Sequence, residues 1–414
     1  MKAMAYDRLD AAAKKPVGVQ VSYYLILASA FLATYQSLRP TELLITYSDL
    51  LLIAAGVMIL FARGLPLNYF GPFTPVWHFF FVLLIGGLFV SSILNGAEAA
   101  WWQAGIQYVA CYVFLPILFF VRTKERWRNL AIAFVAGVIV MEVVSYGIFL
   151  YYGGSYERLN FLGHDFYSGA GRWGAFVGNP NRHAAIICMT LPILYYLRSA
   201  RMISVRVFYP AAGVLFTALI FTASNTGIAT VVISAGAFIA LGGMRIRPRH
   251  IIAALIAIAM LIVFEPPLPR AFESRVAGAI ENQDLSSAGS FDDRFDLIKE
   301  SWEYARENTL VGVGVDRYRE LSSHRAPVHN SYLLIWVEGG VFALLGWIGM
   351  IGVMFVIAIS GRGQYRLERA LALSVLAAFL VFSTAAAHMY ARIWMMPVVL
   401  ALTPTLLAMR SHRS

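Results

Sequence analysis

The stretch Arg325–Gly340, RAPVHNSYLLIWVEGG, puts a histidine and an asparagine where a long polar segment turns back into an apolar run. His329 is the candidate general base, because an imidazole with an ordinary pKa near 6.5 accepts a proton at neutral pH. The bland alternative is an interfacial or helix-capping histidine. His324 is a weaker competitor, and Asn330 sits beside the base. Around them falls a set of arginines, among them Arg172, Arg182, Arg294, Arg319, Arg325 and Arg392. Each alone reads as a solvated loop residue salt-bridged to a nearby acid. Together with a histidine they suit a multiply charged anion, because the planar guanidinium fork matches phosphate oxygens and stays ionised. Glu142, Asp49 and Glu338 lie in or beside apolar runs, as possible base, orienting carboxylate or ion-pair partner.

The elements that must position these groups are membrane spans. Of 414 residues, 59% are hydrophobic and only 14% charged, against about 25% charged in soluble chains. Mean hydropathy is +0.67. Apolar runs near twenty residues, fenced by Arg or Pro, predict an all-α polytopic membrane protein. The alternation expected of barrel strands is missing. About twelve spans are expected, at 18–37, 43–62, 74–94, 102–121, 130–152, 180–198, 206–223, 226–243, 250–265, 330–360, 370–388 and 393–410. The chain, 1–414, reads as a single transmembrane domain.

The net charge of +10 does not signal nucleic acid, because basic residues alternate between loops as the positive-inside rule demands. The basic loops 122–128, 198–206, 245–249 and 361–369 and both termini fall on the cytoplasmic side. The other side receives a shorter loop, 153–179, and a large, partly helical one, 266–329, between spans nine and ten. No cleavable signal peptide is expected from the polar first twenty residues. Cys111 and Cys188 lie in apolar runs and read as small buried hydrophobes.

Within the large loop, Phe295, Ile298, Trp302 and Ala305 recur at helical spacing, predicting a short amphipathic helix that Arg294 heads. LVGVGVDRYRE then reads as a glycine-punctuated turn, not a dinucleotide fingerprint. The run 330–360 is too long for one straight span, about 45 Å against a core of about 30 Å. A break is therefore expected at Gly339-Gly340, with a short helix beginning near Val328 and His329 in its first turn. At the join of the shorter loop and span six, GRWGAFVGNPNRHAA contains Arg172, a turn at Gly178–Asn181, and Asn181 as candidate cap. No HExxH, CxxC, DxD or P-loop pattern appears, so neither a metal nor a nucleotide cofactor is expected.

RWGAFVGNPN at 172–181 is followed by Arg294, Trp302, Gly312, Gly314 and Tyr318, and then by HNSYL at 329–333 with Gly339-Gly340. In this order they resemble the bacterial O-antigen ligase family, related to O-antigen polymerases and O-linked oligosaccharyltransferases. The resemblance covers nearly the whole chain. It implies a multi-pass inner-membrane glycosyltransferase of lipopolysaccharide biosynthesis, with both termini cytoplasmic and a periplasmic active site. The donor would be a glycan on undecaprenyl diphosphate and the acceptor the lipid A core, with membrane lipids as surroundings. The family's histidine falls on His329 as catalytic base and its arginines on Arg172 and Arg294 as diphosphate ligands. Asn330, Asn179, Asn181, Arg182, His324, Arg325 and Arg319 would support them. The oligosaccharyltransferase pattern after His-Asn ends here at Ala343, which counts against a protein acceptor. Two rivals stand beside this expectation: a polymerase joining lipid-linked repeats, and a transporter or flippase of lipid-linked glycans.

Overall fold

The computed structural model describes residues 17–40, 45–163, 166–168, 171–243, 291–360 and 365–411. The regular structure among the described residues is helical, apart from one isolated antiparallel bridge between Tyr167 and Trp173. We number the helices α1 (Val17–Phe31), α2 (Tyr47–Arg63), α3 (Thr74–Leu94), α4 (Glu98–Val109), α5 (Leu115–Phe119), α6 (Lys124–Tyr151), α7 (Pro180–Ser199), α8 (Val205–Phe221) and α9 (Asn225–Gly242). After the gap come α10 (Phe291–Glu307), α11 (Arg317–Leu321), α12 (Ser331–Ile359), α13 (Arg366–Ser383) and α14 (Arg392–Ser411). Among the described residues, six helical segments are long and apolar enough to cross a membrane. Eleven of the twelve expected segments coincide with helices, several of them shorter than a span; 250–265 lies outside the described residues, as does 266–290 of the large loop.

Proline shapes the bundle, and its consequences are repaired by side chains. A π-turn, Ala110–Phe114, joins α4 to α5, and Pro116 has no N–H for the Tyr112 carbonyl four residues back. The Trp77 indole of α3 donates to that carbonyl at 2.9 Å. Pro404 likewise strands the Leu400 carbonyl, which the Trp127 indole of α6 reaches at 2.8 Å. Pro192 strands that of Cys188, met by the Ser234 hydroxyl at 3.5 Å. In lipid no water would do this work, so each repair also fixes which helices are neighbours.

The longest helix, α12, makes its most extensive contact with α3. A Cβ at Gly346 would stand 2.3 Å from the Leu84 nitrogen, so only glycine lets the two backbones approach this closely. The expected break is present, one residue into the pair: Gly340 has φ 71° and ψ −173° inside the helix. The chain interruption frees the Val337 and Glu338 carbonyls, which accept from Val313 N–H (2.8 Å) and Gly314 N–H (3.0 Å). Val341 N–H in turn donates to the Thr309 carbonyl at 2.7 Å. The glycine turn read from the sequence is thus the piece that closes the break. Gly312 and Gly314 hold φ of 80° and 95° there.

Candidate functional site

Three chain segments converge at the N-terminal ends of α7 and α12. The first is 309–321. Glu338, buried on α12, accepts the Asp316 N–H at 2.9 Å through its side chain while its own carbonyl holds Gly314. Asp316 then pairs with Arg319 at 2.7 Å. The helix break therefore sets the position of Arg319, through three linked contacts.

The second segment carries His329. The structure corrects its expected place: α12 starts at Ser331, not near Val328, and His329 precedes the cap instead of sitting in the first turn. Asn330 is the N-cap, its side chain accepting from the Tyr332 and Leu333 N–H groups at 3.1 Å each. Val328 is buried and His329 exposed, so the imidazole is presented outward from an anchored backbone.

The third is 384–391, between α13 and α14. Ser331 donates to the Ala386 carbonyl at 2.7 Å, tying this segment to the start of α12. From the other side the Tyr112 hydroxyl donates to the Met389 carbonyl at 2.6 Å. His388 lies between these ties, half-buried, its ring 5.1 Å from that of Tyr390. Burial pushes its pKa down to about 4, aided by the positive charges of Arg182, Arg319 and His329 around it. Burial raises Tyr390 to about 12, with Glu338 and Asp316 adding and Arg182 opposing. These electrostatic partners define one cluster: Arg182, Arg319, His329, His388 and Tyr390, with Glu338 and Asp316 behind them.

Arg182 comes from the α7 start, where the structure corrects a second expectation. The N-cap is Asn179, accepting from Asn181 and Arg182 N–H at 3.0 Å each; Asn181 is the second residue of the helix. The Asn181 side-chain oxygen instead accepts from Arg172 at 2.7 Å and from the Ser224 hydroxyl at 3.2 Å. Arg172 also donates to the Thr222 carbonyl at 3.1 Å. Its guanidinium therefore clamps the shorter loop to the α8–α9 turn and to the helix bearing Arg182. Next in sequence, His183 is fully buried, hydrogen-bonded to Glu142 of α6 and facing the Trp173 carbonyl at 3.3 Å. Glu142 is accordingly a structural partner of α7.

The remaining expected residues separate. The backbone of Arg294 belongs to α10, but its side chain lies outside the described residues. His324 lines a shallow depression with Asp296, Lys299, Glu300 and Glu303, on the acidic face of α10. Arg325 is exposed with φ 47° in the turn that follows. Arg392 is not spare for an anion: it makes a two-pronged ion pair with Asp49 and a bond to Gln107. Phe166 and Trp173 are buried in a ring cluster with Phe149, Phe176 and Phe221.

His388 is the residue that reading the sequence missed, because it fell at the end of an apolar run. Its neighbours Tyr390 and Arg392 in HMYARIW were the available signal. Its depressed pKa has a measurable consequence. Above pH 6.5 it is neutral whether folded or unfolded. Between about 6.5 and about 4 only the unfolded chain takes up the proton, so stability declines across that window and no further below it. Thermal unfolding at stepped pH is expected to show this decline in the wild type, and less of it in His388→Gln.

Residues 210–348 match the family model described as O-antigen ligase. The match covers about a third of the chain and bears out the resemblance read from the motifs. It includes Arg319, His329 and the Gly339-Gly340 break, while Arg172, Arg182 and His388 lie outside it. No curated protein matches the chain. The matched stretch is similar to O-antigen ligases, and the apolar helices are those of a multi-pass membrane protein.

Proposed function

We propose that the chain is an O-antigen ligase. It would transfer a glycan from undecaprenyl diphosphate to the lipid A core at the periplasmic face of the inner membrane. The observation that carries this reading is the gathering of Arg182, Arg319 and His329 around His388, whose protonation they oppose, with Arg319 and His329 inside the family-matched stretch. Such a site holds fixed positive charge beside an outward-facing imidazole.

The acceptor hydroxyl attacks the anomeric carbon while the bond from that carbon to the diphosphate oxygen breaks. His329 takes the hydroxyl proton. The diphosphate departs with the bonding electron pair, its developing charge met by guanidinium groups. Direct displacement inverts the anomeric centre. Arg182 and Arg319 are the best-supported anion ligands, since both act on the same cluster as His329. Arg172 supports them from behind by holding the α7 start through Asn181. Arg294 remains a candidate on the strength of the resemblance. His388, neutral at pH 7, can exchange a hydrogen bond with the acceptor or with His329 without adding charge.

The division of roles can be measured. Arg182→Ala and Arg319→Ala are each expected to weaken binding of undecaprenyl diphosphate roughly 10–100-fold, the worth of one charge-assisted bond. The loss should shrink as salt rises, because both side chains are exposed. Unchanged affinity in both variants would remove them as diphosphate ligands.

A further inference from the structure

The amphipathic helix α10 does not bury the face its sequence pattern suggests. Its core side is Leu297, Ser301 and Ala305; Ala305 joins a cluster with Tyr318, Val328 and Val337, and the Tyr318 hydroxyl donates to the Leu297 carbonyl. Three of the four residues expected to form the apolar stripe stay outside: Phe295 is 67% exposed, Ile298 38% and Trp302 50%. At about 100° per residue these three fall within one arc of roughly 60°, beside the buried face. Lys299 and Arg306 project next to the arc on its other side. Asp296, Glu300, Glu303 and Glu307 lie farther round, away from the apolar edge. A water-facing helix has no need of this order: apolar, then basic, then acidic.

The stripe also runs into the surface that faces lipid. Trp302 meets Trp336 on the outer part of α12 edge-on, ring centres 5.2 Å apart. Past the end of α10, Leu310 is 67% exposed, and its carbonyl lies against Gly340 of α12. Two residues on, Phe342 begins the exposed apolar side of that span, continued by Leu345 and Ile348. Exposed apolar side chains thus stand both on α10 and on the adjoining wall of a membrane span, joined by the Trp302–Trp336 contact.

We propose that α10 lies on the membrane surface, with Phe295, Ile298 and Trp302 sunk into the boundary between headgroups and acyl chains. Lys299 and Arg306 then sit at the level of anionic headgroups, and the acidic face looks into water. Interfacial helices embed their apolar face by about 5–10 Å and draw on basic flanks in this way. Because α10 packs on the segment 313–337, the seating fixes the height of Arg319 and His329 above the acyl chains. The inference rests on α12 being a span, and it would survive failure of the catalytic reading.

The test uses the full chain in nanodiscs of phosphatidylethanolamine and phosphatidylglycerol. Single cysteines at Ile298, Trp302, Glu303 and Glu307 carry a nitroxide, with unsubstituted protein as control for the buried Cys111 and Cys188. Collision rates with oxygen, which partitions into lipid, are compared with those for a neutral nickel chelate, which stays in water. Labels at 298 and 302 are expected to favour oxygen several-fold over those at 303 and 307. Equal nickel access at all four positions would overturn the proposal. Shielding of 298 and 302 from both reagents would do so too, since it would mean that protein, such as a second copy, covers the face.

Discussion

His329→Ala is expected to slow glycan transfer about 10²–10⁴-fold, the usual contribution of a positioned general base. The cause is local. Val328 is buried and Asn330 caps α12, so the backbone on both sides is held whatever side chain 329 carries. The imidazole itself is exposed, and exposed substitutions shift stability by about 0.5 kcal/mol or less. Folding should therefore be preserved and the rate should fall at the chemical step. Affinity for the lipid diphosphate should change little, because the arginines carry that charge. Single-turnover transfer with purified protein, read beside equilibrium binding of the donor, separates the two. Wild-type turnover in the alanine variant would remove His329 as the base.

Gly340→Val is expected to be the most damaging substitution away from the reacting groups. At φ 71° and ψ −173° the backbone lies in a region that is essentially reserved for glycine, costing a branched residue roughly 1–3 kcal/mol. A Cβ would also stand 2.3 Å from the Leu310 carbonyl oxygen, and overpacking adds about 1–3 kcal/mol. The damage should spread along the contacts that begin there. Without the break, the Val337 and Glu338 carbonyls return to the helix and release Val313, Gly314 and, through the Glu338 side chain, Asp316. Arg319 then loses its mooring. Thermal unfolding should drop and transfer should be lost together. Gly352→Ala, on the same helix with no atom within 4 Å of the new Cβ, serves as control and should leave both unchanged.

Most of the helical plan was legible because lipid allows few solutions: apolar runs near twenty residues must be helices, and basic loops mark their ends. The break at Gly339-Gly340 was legible for a related reason, since the run was too long for one span. What closes the break was not. The pairing of Val313 and Gly314 with α12 joins residues that chain order leaves apart, and no periodicity encodes it. The site was half visible. His329 and the arginines stand out by type, yet type could not separate Arg392, spent on Asp49, from Arg182 and Arg319, which share the cluster. His388 went unseen because a lone histidine ending an apolar run looks like an interfacial residue. The apolar spacing of α10 marked it as amphipathic, but the buried face turned out to lie one strip to the side, on Leu297, Ser301 and Ala305. Spacing gives the angle between residues; only the neighbours say which angle is inside.

The central claim is most directly tested by following the label. Purified protein is mixed with undecaprenyl-diphosphate-linked glycan, labelled in the sugar, and with lipid A core, and the products are separated by mass. The account expects label on the core lipid, with undecaprenyl diphosphate released in equal amount and the new linkage inverted at its anomeric carbon. Label appearing only on longer diphosphate-linked chains, or a glycan carried across vesicles without any new bond, would contradict it.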